Sequence, residues 1–283
     1  MLKLRHGLIV AAGLACWSAA RADEADAHYR SGLTMKQQGR LDDAIHEFET
    51  AISLRGDYAA AEFSLGVALK SKNQVEKALP HLEKAARLEP KAADIHSSLG
   101  IAYHLVGRTD EAVRELELSC QLNPVDSIAH QRLGVIYRQK KDYAKAIPHL
   151  EKAVQLDPKD ATSLSNLGVA HRQTNKMDLA EKEFKQAIEL NPKQAEPHFN
   201  LATVYRRQGK TSDAISEYQK AIEFDPQFAP AHYDLGILYN QEKKPHEAII
   251  EWNRYLELTA SQNPKEAEIV RQHIKELGGT PSK

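Results

Sequence analysis

The chain has 283 residues, of which 42% are hydrophobic and 27% charged, and 38 Lys and Arg stand against 39 Asp and Glu for a net charge of −1. That balance excludes a disordered chain, which lacks the apolar residues for a core, and a membrane-spanning one, which needs long uncharged runs. It also argues against bulk binding to nucleic acid or to anionic membrane, both of which call for a basic surface.

Residues 1–22 stand apart from the rest. Lys3 and Arg5 make a positive start, Leu8 to Ala20 form an apolar run too short to span a bilayer, and Ala20-Arg21-Ala22 offers an A-x-A cleavage site. The segment predicts a secretory signal cleaved near Ala22, an exported chain (periplasmic or secreted) and a mature start near Asp23. Losing Lys3, Arg5 and Arg21 lowers the net charge by three, from −1 to −4, a mildly acidic mature protein. The alternative is a lipoprotein modified at Cys16, against which Gly13 stands where such motifs carry a large aliphatic residue. Once Cys16 is removed, Cys120 has no partner for an internal disulfide and is expected to be a small buried hydrophobe.

After the leader, a unit of 34 residues recurs. In residues 127–160, His130, Leu133, Gly134 and Tyr137 share one face of a predicted helix, and Ala146, Leu150, Ala153 and Val154 share one face of a second. Gly134, Ala146 and Ala153 are small where helix backbones must approach, while Leu133, Tyr137 and Leu150 fill the space beside them. Pro158 ends the second helix, since the residue before a proline is pushed out of the α region. The same marks return at Leu65-Gly66, Leu99-Gly100, Leu167-Gly168, Leu201-Ala202 and Leu235-Gly236. They return at Ala44, Ala78, Ala112, Ala180, Ala214 and Ala248, and at Pro90, Pro124, Pro192 and Pro226.

This period and pattern resemble the tetratricopeptide repeat (TPR) family. The resemblance implies an all-α, right-handed superhelical solenoid of helix-turn-helix TPR units. Seven copies fit, at residues 25–58, 59–92, 93–126, 127–160, 161–194, 195–228 and 229–262. The first is the least regular, with Ser31 for leucine, Met35 for the aromatic and Gly56 for proline, as befits the end of an array. Pro80 and Pro148 fall near the starts of second helices and are expected to bend them slightly. In the last copy Trp252 and Tyr255 replace a smaller pair, which predicts that a different element packs there. Residues 263–278 supply it: a C-terminal capping helix opened by Asn263, Pro264 and a capping-box Glu266, with Ile269, Val270, His273, Ile274 and Leu277 as its apolar stripe, Gly278 and Gly279 as its stop, and residues 279–283 as a tail.

Local marks of chemistry are lacking: no phosphate-cradling glycine loop, zinc spacing or nucleophile elbow occurs, so no catalytic residue, cofactor or metal is expected. His28, His96, His130, His198 and His232 recur on the packing face of the first helices. With no acid or cysteine seen to join them at a regular ligand spacing, they are expected to be packing residues in the place of the family's tryptophan. If buried and neutral, their protonation would weaken the array as pH falls.

The resemblance further implies that a second face of each first helix lines the concave side, with three rungs per repeat. The outer rung includes Tyr29, Phe63, Phe199 and Tyr233. The middle rung is Leu33, Val67, Ile101, Val135, Val169, Thr203 and Ile237, and the last is Lys36, Lys70, His104, Arg138, Arg172, Arg206 and Asn240. The apolar residues would also suit packing between first helices, and cations near a helix C-terminus gain roughly 0.3–1 kcal/mol from the macrodipole without any ligand. Asn166 and Asn200 resemble a short piece of the asparagine ladder in the TPR arm of O-GlcNAc transferase, though Ser98, Arg132 and Asp234 interrupt it. The expected function is a non-catalytic scaffold that holds a protein or peptide segment, preferably acidic, in its groove. The alternatives are an accessory arm of a glycosyltransferase-type system and a structural envelope spacer or self-assembling array.

Overall fold

The computed structural model describes residues 21–282. The leader segment therefore lies, but for its last two residues, outside the described residues. Among the described residues there are fifteen helices and no strand. The first, α1, is described over residues 21–37. It is followed by α2 (Leu41–Leu54), α3 (Ala59–Ser71), α4 (Val75–Leu88), α5 (Ala93–Leu105), α6 (Thr109–Leu122), α7 (Ser127–Gln139) and α8 (Tyr143–Leu156). Then come α9 (Ala161–Gln173), α10 (Met177–Leu190), α11 (Ala195–Arg207), α12 (Thr211–Phe224), α13 (Ala229–Gln241), α14 (Pro245–Thr259) and α15 (Pro264–Glu276). Each predicted repeat is thus two helices, and contacts divide the chain into two compact units, up to Ile136 and from Tyr137 onward.

In the first unit α3 packs on α4 and α5 on α6, while α2 touches α3, α4 touches α5, and the first helices α3 and α5 meet directly. The seam holds Phe48, Leu65, Leu82, Leu99 and Leu116, all at most 3% exposed, among Ala44, Ala51, Ala78, Ala85 and Ala112 at 0%. Burying each such leucine or phenylalanine contributes roughly 1.5–3 kcal/mol. The recurring glycine is a close-approach residue: a Cβ on Gly66 would lie 2.6 Å from Leu82 Cγ, and one on Gly100 2.7 Å from Leu116 Cγ.

The second unit repeats this order, with α9 on α10, α11 on α12, α13 on α14, and α9 against α11. Phe184, Leu201, Val204, Tyr218, Leu235 and Leu238 form one core. The two helices of a repeat are joined by a tight turn with one left-handed residue at 34-residue intervals. Four such sites fall on Asn73, Lys141, Asn175 and Lys243 (φ 56–62°) and three on Gly39, Gly107 and Gly209.

At the end of the chain, α15 packs on α14. Trp252, Tyr255 and Leu256 of α14 meet Ala267, Val270 and Ile274 of α15 in a shared core, and Gly278 takes a positive φ of 78° just past the helix. Two details differ. Ile269 is 55% exposed and His273 is exposed, so the buried stripe is Ala267, Val270 and Ile274 with Leu277 beside it. Asn263 does not cap α15 through a backbone N–H; its side-chain amide instead donates to the Glu266 carboxylate at 2.6 Å.

Candidate functional site

The repeated histidines are not simply packing residues. Nδ1 of His28 lies 2.7 Å from Glu47, and Nδ1 of His96, His198 and His232 lies 2.6 Å from Glu115, Glu217 and Glu251, each partner 19 residues on. This corrects the expectation that no acid joins them at a regular interval. The acid comes from the second helix of the same repeat, where it looks like any solvated charge until the two helices are laid side by side. Nε2 of His96, His198 and His232 faces the carbonyl of Pro90, Pro192 and Pro226 at 3.1, 3.0 and 3.2 Å. Both ring nitrogens of these three histidines therefore face an oxygen.

Three repeats vary the theme: in the fourth, His149 stands 19 residues after His130, where other repeats have an acid. In the second, the order is swapped: Glu62, 1% exposed, holds the first-helix place and bonds His81 Nδ1 and Lys84 Nζ, both at 2.6 Å. In the fifth, Leu164 takes the histidine's place, and Glu183 turns to His171, whose Nδ1 lies 2.8 Å away. Cys120 is half-buried, and burial, helped by Asp126 and Glu117, pushes its thiol up to about 11.

The last rung lies on the final turns of the first helices. In the first unit it gathers cations: burial first, then the charges of Arg132 and Lys36, holds Lys70 below the usual lysine range. His104 is likewise lowered by burial and then by Arg132. His104 Nδ1 and Arg132 Nε are buried without a hydrogen-bond partner. Arg132 belongs in this group although the sequence reading treated it only as a break in the asparagine series. A step of 28 residues, which sets a last-rung residue against the next first helix, would have found it.

In the second unit Arg138 and Arg172 each keep a buried Nε without a partner. Burial, then repulsion by Arg207, lowers Arg172, with Tyr218 and Asp234 opposing. Arg206 differs: Asp234 pairs with it at 3.0 Å, Tyr218 Oη donates to the same carboxylate at 3.2 Å, and Thr203 Oγ1 meets Tyr218 at 3.3 Å. Its charge is already matched, so Arg206 is not part of a free basic rung. Asn240 is exposed.

The aromatics of the outer rung are half-buried. Tyr29 meets Tyr58 with ring centres 5.0 Å apart and tilted, Phe199 meets Phe228 edge-on at 5.2 Å, and Tyr233 meets Tyr255 tilted at 5.2 Å, while Phe63 has the same partial exposure. The middle rung is half-buried except for Thr203, which is buried; Val169 and Ile237 pack on the cores, the packing alternative. Of the asparagine piece, Asn166 donates to the Thr162 carbonyl of its own helix at 2.8 Å, and Asn200 is 4% exposed.

Comparison with known proteins agrees with this architecture. TPR-repeat family models match residues 66–107 and 202–242, and tetratricopeptide-repeat models match 125–193, 183–216 and 29–78. The chain belongs to the tetratricopeptide repeat family. No curated protein sequence matches it.

Among solved structures, it is similar to a chain of the APC/C hetero-tetramer Cut9-Hcn1, with 18% identity and a TM-score of 0.66 over 87% of this chain, which spans about half (48%) of that one. It is similar to pilF of Pseudomonas aeruginosa, with 21% identity and a TM-score of 0.64 over 79% of this chain and 98% of that one. It is also similar to YrrB, described as a TPR protein with an unusual peptide-binding site, at 23% identity and a TM-score of 0.58 over 70% of this chain and 97% of that one. These likenesses are of fold. No described helix is long and apolar enough to cross a membrane.

Proposed function

We propose that the chain is an exported, non-catalytic TPR scaffold that holds an acidic segment of another protein against the last turns of its first helices. The observation that carries the reading is the pair of cations Lys70 and Arg132 beside His104: Arg132 lowers both neighbours, and its buried Nε–H has no partner. A cation cluster without an acid is costly for the fold, and carboxylates of a bound segment would satisfy it. In the second unit Arg172 offers the same kind of donor. YrrB supports the class of ligand, since that TPR protein is described as having a peptide-binding site. The residues 1–22 support export, by composition alone.

The test is binding of a labelled Glu- and Asp-rich peptide, with Lys70→Glu and Arg172→Glu as variants. Weaker binding at unchanged helicity supports the reading, and binding equal to wild type removes the cation cluster from it. Export is tested separately, by the N-terminal sequence and the cell fraction of the secreted chain. The glycosyltransferase alternative rests only on Asn166, which donates to its own helix, and Asn200, which is 4% exposed.

A further inference from the structure

Beside the Arg206–Asp234 pair, the second unit holds a cavity of about 320 Å³ between α13, α14 and the start of α15. Tyr233 and Tyr255 wall it with rings 5.2 Å apart and tilted by 50°, while Asp234, Gln262 and Glu266 supply its polar lining and Pro230 part of its apolar lining. No Lys, Arg or His lines it. Asp234 has the Arg206 guanidinium at 3.0 Å. Among the described residues, the partners of Glu266 are neutral, the Asn263 amide at 2.6 Å and the Tyr255 hydroxyl, and it forms no ion pair. Burial and then the charges of Glu266 and Asp234 raise the Tyr233 hydroxyl, so both carboxylates act on one tyrosine of this cavity.

A small cavity with an unmatched carboxylate and two aromatic faces suits a planar cation. The guanidinium of arginine can lie on a tyrosine face while its fork meets a carboxylate, and it presents donors only, which matches a lining rich in acceptors. The volume falls at the lower end of the range of ligand pockets, enough for one side chain.

We propose that this cavity seats the guanidinium of a single arginine of a bound polypeptide. The proposal deepens the scaffold reading and rests on it for the polypeptide that carries the arginine. Asp234 stands on the border: it neutralises Arg206 on one side and lines the cavity on the other. The bound segment would therefore place carboxylates toward Arg172 and a basic residue toward Glu266.

The experiment titrates the full chain with the blocked tripeptide acetyl-Ala-Arg-Ala-amide and with its citrulline counterpart, which has the same shape without the charge, read by tyrosine ring shifts in NMR. Expected are saturable shifts of Tyr233 and Tyr255 with the arginine peptide and binding weaker by about tenfold with citrulline. Glu266→Gln should weaken arginine binding by about tenfold, whereas Glu268→Gln, on the exposed side of the same turn, should not, and both should melt near wild type. Equal binding of the two peptides, wild-type binding by Glu266→Gln, or no saturation would each overturn the proposal. The acidic-peptide assay with Arg172→Glu is read independently, so the scaffold reading can fail while the arginine seat stands, and the reverse.

Discussion

Glu62 and His81 hold, in reversed order, the two positions that His198 and Glu217 occupy four repeats later, and both pairs close at 2.6 Å. The third member is kept as well: Lys84 bonds Glu62 at 2.6 Å, and Lys220, in the corresponding place, bonds Glu217 at 2.7 Å. One hydrogen-bonded His–Glu pair can thus be supplied in either order across the same two helices.

A double swap should therefore be tolerated where single ones are not. Glu62→His sets two imidazoles and Lys84 together, and His81→Glu sets two carboxylates together, one of them buried. The double variant rebuilds the sixth repeat's arrangement. Thermal melts should show each single change destabilising, and a coupling of about 0.5–3 kcal/mol restored in the double variant. Additive losses would refute the pairing.

The fifth repeat should show its own pH dependence. Burial, reinforced by Glu151, pushes the Glu183 carboxyl up to about 8, and burial with Lys176 pulls His171 down, so the pair is held neutral with the proton on Glu183. A carboxyl raised on folding stabilises the fold below its unfolded value of 4.5 and loses that contribution as pH climbs to about 8. His171 contributes an opposite slope, which ends at its unfolded value of 6.5. Between 6.5 and about 8, Glu183→Gln should accordingly gain on wild type in melting temperature as pH rises. A constant difference across that window would count against the neutral pair.

The sixth repeat titrates the other way. Burial raises Glu217, but hydrogen bonds from His198 and Lys220 outweigh it and leave the carboxyl below its ordinary value of 4.5. Its contribution is present above 4.5 and is lost as pH falls through the lower folded value. Glu217→Gln should be less stable than wild type at neutral pH, and the gap should close in acid melts.

Backbone geometry gives two further tests. Lys243 sits at φ 56° in a turn where other repeats have Gly39, Gly107 or Gly209, so Lys243→Gly should stabilise by about 0.5–1 kcal/mol in urea unfolding. Gly66→Ala should cost about 1–3 kcal/mol, because the added methyl meets the branched stem of Leu82 and lies 3.3 Å from the Ala78 carbonyl.

Helix boundaries and packing residues were legible in the sequence because seven copies repeat the same marks in phase: Leu133 at 0%, Tyr137 at 5% and Leu150 at 0% exposure lie where the 127–160 pattern puts them. Pairings between helices were harder to see. The step of 19 is interrupted by the swap at Glu62, by His149 and by Leu164, and the step of 28 that joins Arg206 to Asp234 crosses from one repeat to the next. Ile269 misled because apolarity alone does not fix a helix's rotation; Ala267, small enough to lie against α14, decides it. The arginine seat had no motif at all, since its walls come from three helices.

Each imidazole that reaches a proline carbonyl also rivets one hairpin to the tail of the hairpin before it, as His198 does with Pro192 and His232 with Pro226. After Pro158 comes Leu164, and that joint has no rivet. Under a stretching force the second unit should give way first at this joint, and the riveted hairpins beyond it should come off together, not singly.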